Sequence, residues 1–226
     1  YELGVENYVT TNYDFSLESI FEEHHYKKEF KKQETLYSIR THIKMKNDEQ
    51  VVKIWHIHGD IERVASITLG LDQYCGTIGK IDAYLKGNYS YKEANIEKKL
   101  KSMKNKLLRK DSFDSVSWIE LFYNTDVHII GFELDYSEID IWWILNKRQR
   151  DNAVKSLPIK NTIYYYDIIS QNDKQRAKQQ AKHDLLETFG VKLVVVDLNN
   201  NWSEATASLL DKMKDNIQSN MSNDIE

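Results

Sequence analysis

The chain alternates short apolar runs with longer amphipathic or charged stretches. That rhythm constrains its fold more than any other feature. Asn7–Asn12, Val127–Ile130, Thr162–Tyr166 and Lys192–Val196 are β-type runs rich in β-branched and aromatic residues. Helical stretches stand between them. Phe15–Lys32 places Leu17, Ile20, Phe21 and His24 on one face. Glu138–Arg148 opens at Asp135-x-x-Glu138, which has the form of a capping box. Asp173–Thr188 is followed by Gly190 as its carboxyl-terminal cap. Short apolar strands joined through helices predict an α/β fold, with a mostly parallel sheet covered by helices on both faces.

The remaining segments are less regular. Tyr37, Ile39, Thr41, Ile43 and Met45 alternate with polar residues and predict a strand. Lys46–Gln50 reads as a turn and Val51–His58 as the returning strand. Ser66–Leu69 is a short strand candidate, and Glu93–Lys110 a charged helix. The residues after Met213 read as a fraying polar tail, so residues 1–212 form one α/β domain and 213–226 a tail.

Composition excludes several classes. At 226 residues with 41% hydrophobic and 12% aromatic content, the chain can fill one large core. A formal charge of −4 gives no global pull toward nucleic acid. No apolar run is long enough to span a bilayer. A single cysteine, Cys75, cannot form an internal disulfide and fits a reducing, cytoplasmic setting.

In open α/β sheets ligands collect at the carboxyl ends of the strands. Three clusters fall there: Asn12 with Asp14, His58 with Gly59, and Gly131 through Asp135. An Asn amide can fix a water or a ribose hydroxyl. A carboxylate can accept a hydrogen bond from a carboxamide. A His titrates near neutral pH and can serve as a base.

The order Thr10-Thr11-Asn12-Tyr13-Asp14, then Trp55-His56-Ile57-His58-Gly59, resembles the sirtuin family and its bacterial sirtuin-like relatives. The resemblance spans roughly Asn7 to Asp197. It implies a Rossmann-like fold, NAD as substrate and cleavage of the nicotinamide–ribose bond. By resemblance Asn12 and His58 are catalytic, His58 being the general base. Thr11, Asp14 and Gly59 contact NAD, with Asp14 on the nicotinamide amide. Gly131, Glu133 and Asp135 stand where the family carries its ribose- and phosphate-touching turn. Asp140-Ile141-Trp142-Trp143 and Ser66–Tyr74 also look like the bacterial group. Three departures qualify the match. No two of the eight glycines form G-x-G, so the Gly-rich strand-loop unit is expected upstream of Tyr1. Glu133 replaces a small hydroxyl residue, and its carboxylate would repel a phosphate unless turned away. One cysteine cannot build the paired C-x-x-C zinc ribbon of the lysine deacylases. The resemblance therefore points to the NAD-degrading branch, many of whose members act in anti-phage defence, with a homo-oligomer or a protein effector as partner. An abortive-infection family with a similar Asn-Tyr-x-Asp and His-Gly order is a neighbouring match. A non-catalytic NAD or ADP-ribose module, or a pure interaction domain, is the alternative.

Each motif also has a plainer reading. Asn12 and Asp14 can end a strand and cap the next helix. His58 can be a satisfied core histidine. His56 and His58 share a strand face, but a metal site would lack further ligands, so none is assigned. His24 and His25 diverge on a helix. Lys98, Lys99, Lys101, Lys104, Lys106, Arg109 and Lys110 read as a solvated face rather than a nucleic-acid site. Trp142 and Trp143 read as core residues.

Overall fold

In a computed structural model of the chain, residues 4–32, 37, 39–109, 113, 115–153, 157–198 and 201–223 are described. The chain begins with β1 (Asn7–Thr10), α1 (Ser16–Glu23), β2 (Lys27–Lys32), β3 (His42–Lys46) and β4 (Val51–His56). The four strands form one sheet in the order β1-β4-β3-β2. β1 runs parallel to β4, with Thr10 opposite His56, while β3 is antiparallel to both β4 and β2. Side chains alternate across this sheet. Ile43, Met45, Val52 and Ile54 pack with Phe21 of α1 and with Tyr26 on one face. Trp55 and Ile57 enter the main core on the other.

α2 (Leu71–Lys86) follows, then a hairpin of β5 (Ser90–Glu93) and β6 (Ile96–Lys99), then α3 (Met103–Arg109) and the short α4 (Leu121–Asn124). The last part alternates β7 (Val127–Ile129), α5 (Ile139–Ala153), β8 (Ile163–Ile169), α6 (Asp173–Thr188), β9 (Val191–Asp197) and α7 (Trp202–Asn223). Its three strands form a second, wholly parallel sheet in the order β7-β8-β9. Ile163 and Tyr165 of β8 face the main core with Ile144 and Leu145 of α5 and Leu186 of α6. Tyr164 and Tyr166 face Leu209 and Met213 of α7. Helices thus cover both faces of this sheet. α2 packs on α5 and links the two sheets through that core.

The fold is mixed α/β, and it corrects the expected single, mostly parallel sheet. There are two main sheets, and the first is mixed. The cause was present in the sequence: the connection from Lys46 to Val51 is too short for a crossover, so β3 and β4 must be antiparallel. The expected helix over Phe15–Lys32 stops at Glu23. His25 takes a φ of +66°, and the chain returns as β2 with Tyr26 buried. The expected helix over Glu93–Lys110 is a hairpin followed by a short helix. Ala94 and Asn95, with φ of +48° and +65°, make the tight turn. Lys110 lies outside the described residues. Ser66–Leu69 is not a strand: Val64–Ser66 is a 3-10 turn and Leu69 is exposed. The boundary expected at Met213 falls inside α7, where Met213 and Ile217 pack on the second sheet. Among the described residues no helix is long and apolar enough to cross a membrane.

Candidate active site

At the carboxyl end of β1 the backbone is bound to the end of β4, where the Ile57 N–H donates to the Thr10 carbonyl at 3.1 Å. Thr11 is half-buried, while Asn12 and Asp14 are exposed. The Asn12 N–H donates to Thr10 Oγ1 at 3.1 Å, and the Ser16 N–H donates to Asp14 Oδ1 at 3.0 Å. That last bond opens α1 and holds the Asp14 carboxyl below its ordinary value. Asp14 thus shapes the turn into α1, but the cap position itself falls on Phe15 and no side chain caps it, so the plainer capping reading is not met.

His56 and His58 do not act together. His56 Nδ1 lies 3.2 Å from the Asn12 carbonyl and Nε2 lies 2.7 Å from Glu18 Oε1. A carbonyl only accepts, so Nδ1 carries the hydrogen. Glu18 sits one turn into α1 and is buried, and its Oε2 has no hydrogen-bond partner. This pair fixes the backbone of Asn12 from below.

His58 turns the other way, because regular pairing ends at His56 and the chain bends at Gly59. Gly59 has a φ of +85°, and a Cβ there would lie 2.2 Å from the Ser66 carbonyl oxygen. Only glycine permits this close return, in which the Thr68 N–H donates to the His58 carbonyl at 2.9 Å. The His58 ring meets the first turn of α5. Nε2 is 3.1 Å from Asp140 Oδ2, and Nδ1 is 3.6 Å from Glu138 Oε2. Tyr74 of α2 stands edge-on to the ring at 5.5 Å and donates its hydroxyl to Glu138 Oε2 at 3.3 Å. His58 is 2% exposed and Asp140 0%, whereas the Glu138 side chain is 20% exposed. Burial is the main cause that raises the Glu138 carboxyl above its ordinary value; the His58 ring opposes it and Asp140 adds to it. Burial likewise raises the Tyr74 and Tyr13 hydroxyls, with Glu138 contributing to both. Glu138 therefore faces Tyr13 as well as Tyr74, next to the strand end that bears Asn12.

The loop after β7 supplies the third cluster. Gly131 is exposed, with a φ of +65° and open space around it. The Glu133 carboxylate is turned outward, 3.8 Å from Lys178, while its carbonyl accepts from Lys182 at 2.8 Å and from the Tyr165 hydroxyl at 3.2 Å. Burial lowers the Lys182 ammonium below its ordinary value, opposed by Asp167 and Glu133. Asp135 accepts from the Ser137 N–H at 3.1 Å, which lowers its carboxyl. Its carbonyl accepts from the Trp142 indole at 3.0 Å. Trp142 is buried, in keeping with a core role. The expected capping box does not form: the Asp135 side chain accepts from Ser137 rather than Glu138, α5 begins only at Ile139, and the Glu138 carboxylate turns to Tyr74 and His58. The structure brings Asn12, Asp14, His58 and Gly59 to one end of adjacent strands. Gly131 and Glu133 lie farther along, on the α6 side.

His58, Glu138 and Asp140 place ligand-type atoms within 4.8 Å of one another. The two carboxylates face different ring nitrogens, whereas a single cation would draw both toward one nitrogen at roughly 2.0–2.2 Å. The arrangement is an imidazole held between two acceptors. A cavity of about 290 Å³ opens at the amino ends of β1 and β4, between Glu6, Asn7, Gln50, Val51 and Lys53, away from this chemistry. One of about 40 Å³, beside Glu133, Asp135, Lys178 and Lys182, has room for water but not for a nucleotide. The acid-rich end by His58 suits a cationic group, and the end with Lys178 and Lys182 suits an anionic one.

Asp140, Glu138, Glu18 and Tyr74 were not among the expected site residues. Acidic residues in the first turn of a helix read as dipole-favoured surface groups, and nothing in the spacing ties them to a strand some eighty positions away.

The SIR2-like domain family model matches residues 6–192. The chain belongs to this family of SIR2-like domains, which bind NAD. Comparison with curated proteins and with solved structures returns no match.

Proposed function

We propose that this SIR2-like chain binds NAD at the carboxyl ends of β1, β4 and β7 and cleaves its nicotinamide–ribose bond. The observation that carries the reading is His58, held by the buried Asp140 carboxylate at a strand end adjoining Asn12. Asn12 orients the attacking water or a ribose hydroxyl, and Asp14 receives the nicotinamide carboxamide. His58 takes the proton that the nucleophile loses, with Asp140 fixing its ring. Water adds to the anomeric carbon, the C–N electron pair passes to the nicotinamide nitrogen, and one proton is released. The reacting carbon is oxocarbenium-like at the transition state. The carboxylates around His58 favour that positive charge, and Thr11, Gly59, Gly131, Glu133 and Asp135 line the remainder of the path. Lys178 and Lys182 suit the pyrophosphate. With one cysteine in this chain and no zinc ribbon, the activity belongs with NAD degradation of the defence type rather than lysine deacylation.

Nicotinamide release from NAD tests this. Wild type releases it, and His58→Ala and Asn12→Ala each lose on the order of a hundredfold. Full release by both variants overturns the assignment. The enclosure of His58 favours a second reading, a module that senses NAD or ADP-ribose without turnover. Calorimetric binding of NAD with no release under any condition selects it.

A further inference from the structure

The proton that His58 takes up has to leave the ring before another turnover, and the ring itself barely touches solvent. Its Nε2 faces Asp140, which is fully enclosed and so leads nowhere. Its Nδ1 faces Glu138, the one member of the trio with a solvent-reaching carboxylate. The 3.6 Å gap between Nδ1 and Oε2 is closed by a small side-chain rotation or bridged by one water. We infer that Glu138 is the proton exit of the site, receiving the proton from His58 Nδ1 and delivering it to solvent. This rests on the NAD-cleavage reading and adds a second acid–base residue to it.

The surroundings suit the task. A carboxylate that shuttles protons near neutral pH works best when its proton affinity lies above that of a free carboxyl. Burial and Asp140 push Glu138 in that direction. The groups that face it are His58 from the end of β4, Tyr74 from α2, Tyr13 from the end of β1, and Asp135 and Asp140 from its own loop and helix. None of these is a lysine or arginine, so among the described residues no fixed cation pins the carboxylate in its ionised form. The proton balance is closed: water loses one proton, His58 carries it, Glu138 passes it on, and solvent receives it.

The test pairs kinetics with a measurement that needs no turnover. Glu138→Gln keeps the size and the contact to Tyr74 but cannot carry a proton. Nicotinamide release falls on the order of a hundredfold, and the acidic limb of the pH–rate profile loses the part that Glu138 contributes. In the same variant, exchange of the His58 ring N–H protons with water, followed by ¹⁵N NMR, slows by at least about tenfold. If wild type releases nicotinamide and Glu138→Gln keeps both rate and acidic limb, the inference is overturned while the NAD reading stands. If wild type releases none, the NAD reading falls and the exchange measurement decides alone. Slowed exchange then supports the exit, and unchanged exchange overturns it.

Discussion

Lys106 of α3 is a fully buried ammonium, paired with the equally buried Glu120 and stacked over the Tyr84 ring at 4.9 Å. Glu120 also accepts from the Tyr84 hydroxyl and, at 2.8 Å, from the Ser115 N–H. Lys106→Met keeps the aliphatic stem and deletes the charge. The carboxylate then stays buried without its cation. Breaking such a pair costs about 3–5 kcal/mol, and the two hydrogen bonds left to Glu120 put the expected loss near the lower end, about 3 kcal/mol. That is a large share of the roughly 5–15 kcal/mol that holds a domain. For a chain of this length each kcal/mol moves Tm by about 2–4 °C, so melting should drop by about 6–12 °C. Urea titration and thermal melting followed by circular dichroism measure this. Adding Glu120→Gln removes the stranded charge and should restore more than half of the loss. A single variant within about 1 kcal/mol of wild type, or a double variant worse than the sum of its parts, refutes the argument.

Four further outcomes follow from the site. Asp140→Asn keeps the shape beside His58 but removes the charge that steadies the ring, and nicotinamide release should fall on the order of a hundredfold; unchanged release would show that Asp140 only fills space. Glu18→Ala leaves the buried His56 Nε2 without its partner beneath Asn12 and should cost about 1–3 kcal/mol in urea titration, with weakened release in whatever protein remains folded. Gly59→Ala forces a side chain into the Ser66 carbonyl at a φ of +85°, and even a relaxed loop should lose about 1–3 kcal/mol; wild-type melting would contradict the close return of the chain. The Glu138 carboxyl lies above its ordinary 4.5 in the folded state, so its protonated form contributes stability that is fully present below that pH and is lost as pH rises through the raised value. Glu138→Gln should therefore melt higher than wild type at neutral pH and lose that advantage in acid.

The strand and helix rhythm was legible wherever a single period governed the segment. α6 matches its expected bounds, because Asn172 caps it by accepting from Lys174 and Gln175 and Gly190 ends it. β7, β8 and β9 were legible because β-branched and aromatic residues dominate them, although His128, Asp167 and Lys192 interrupt the runs. Charge patterns misled. Lys98 and Glu93 pair across a hairpin, whereas the dense charge of that stretch had read as the solvated face of a helix. Lys106 was expected in water and lies in the core instead, since its partner Glu120 is remote in pattern. α2 was missed as an element because its apolar positions are interleaved with Gly76 and Gly79. The site divided in the same way. Asn12 and His58 end recognisable strands, so their placement at the carboxyl ends of two strands could be anticipated. Asp140 could not, because its partner is supplied by a different sheet. His56, two residues before His58, instead grips the backbone of Asn12.

Among the described residues the two main sheets share no hydrogen-bonded strand, yet His58 stands on one and its carboxylate partners lead out from the other. The trio is thus a clasp across a seam. A slide of one sheet against the other by a single side-chain width would part His58 from Asp140 while leaving every strand pairing intact. Turnover should therefore fail under mild denaturant before secondary structure is lost, and an occupant that draws the clasp shut would stiffen the whole molecule from its middle.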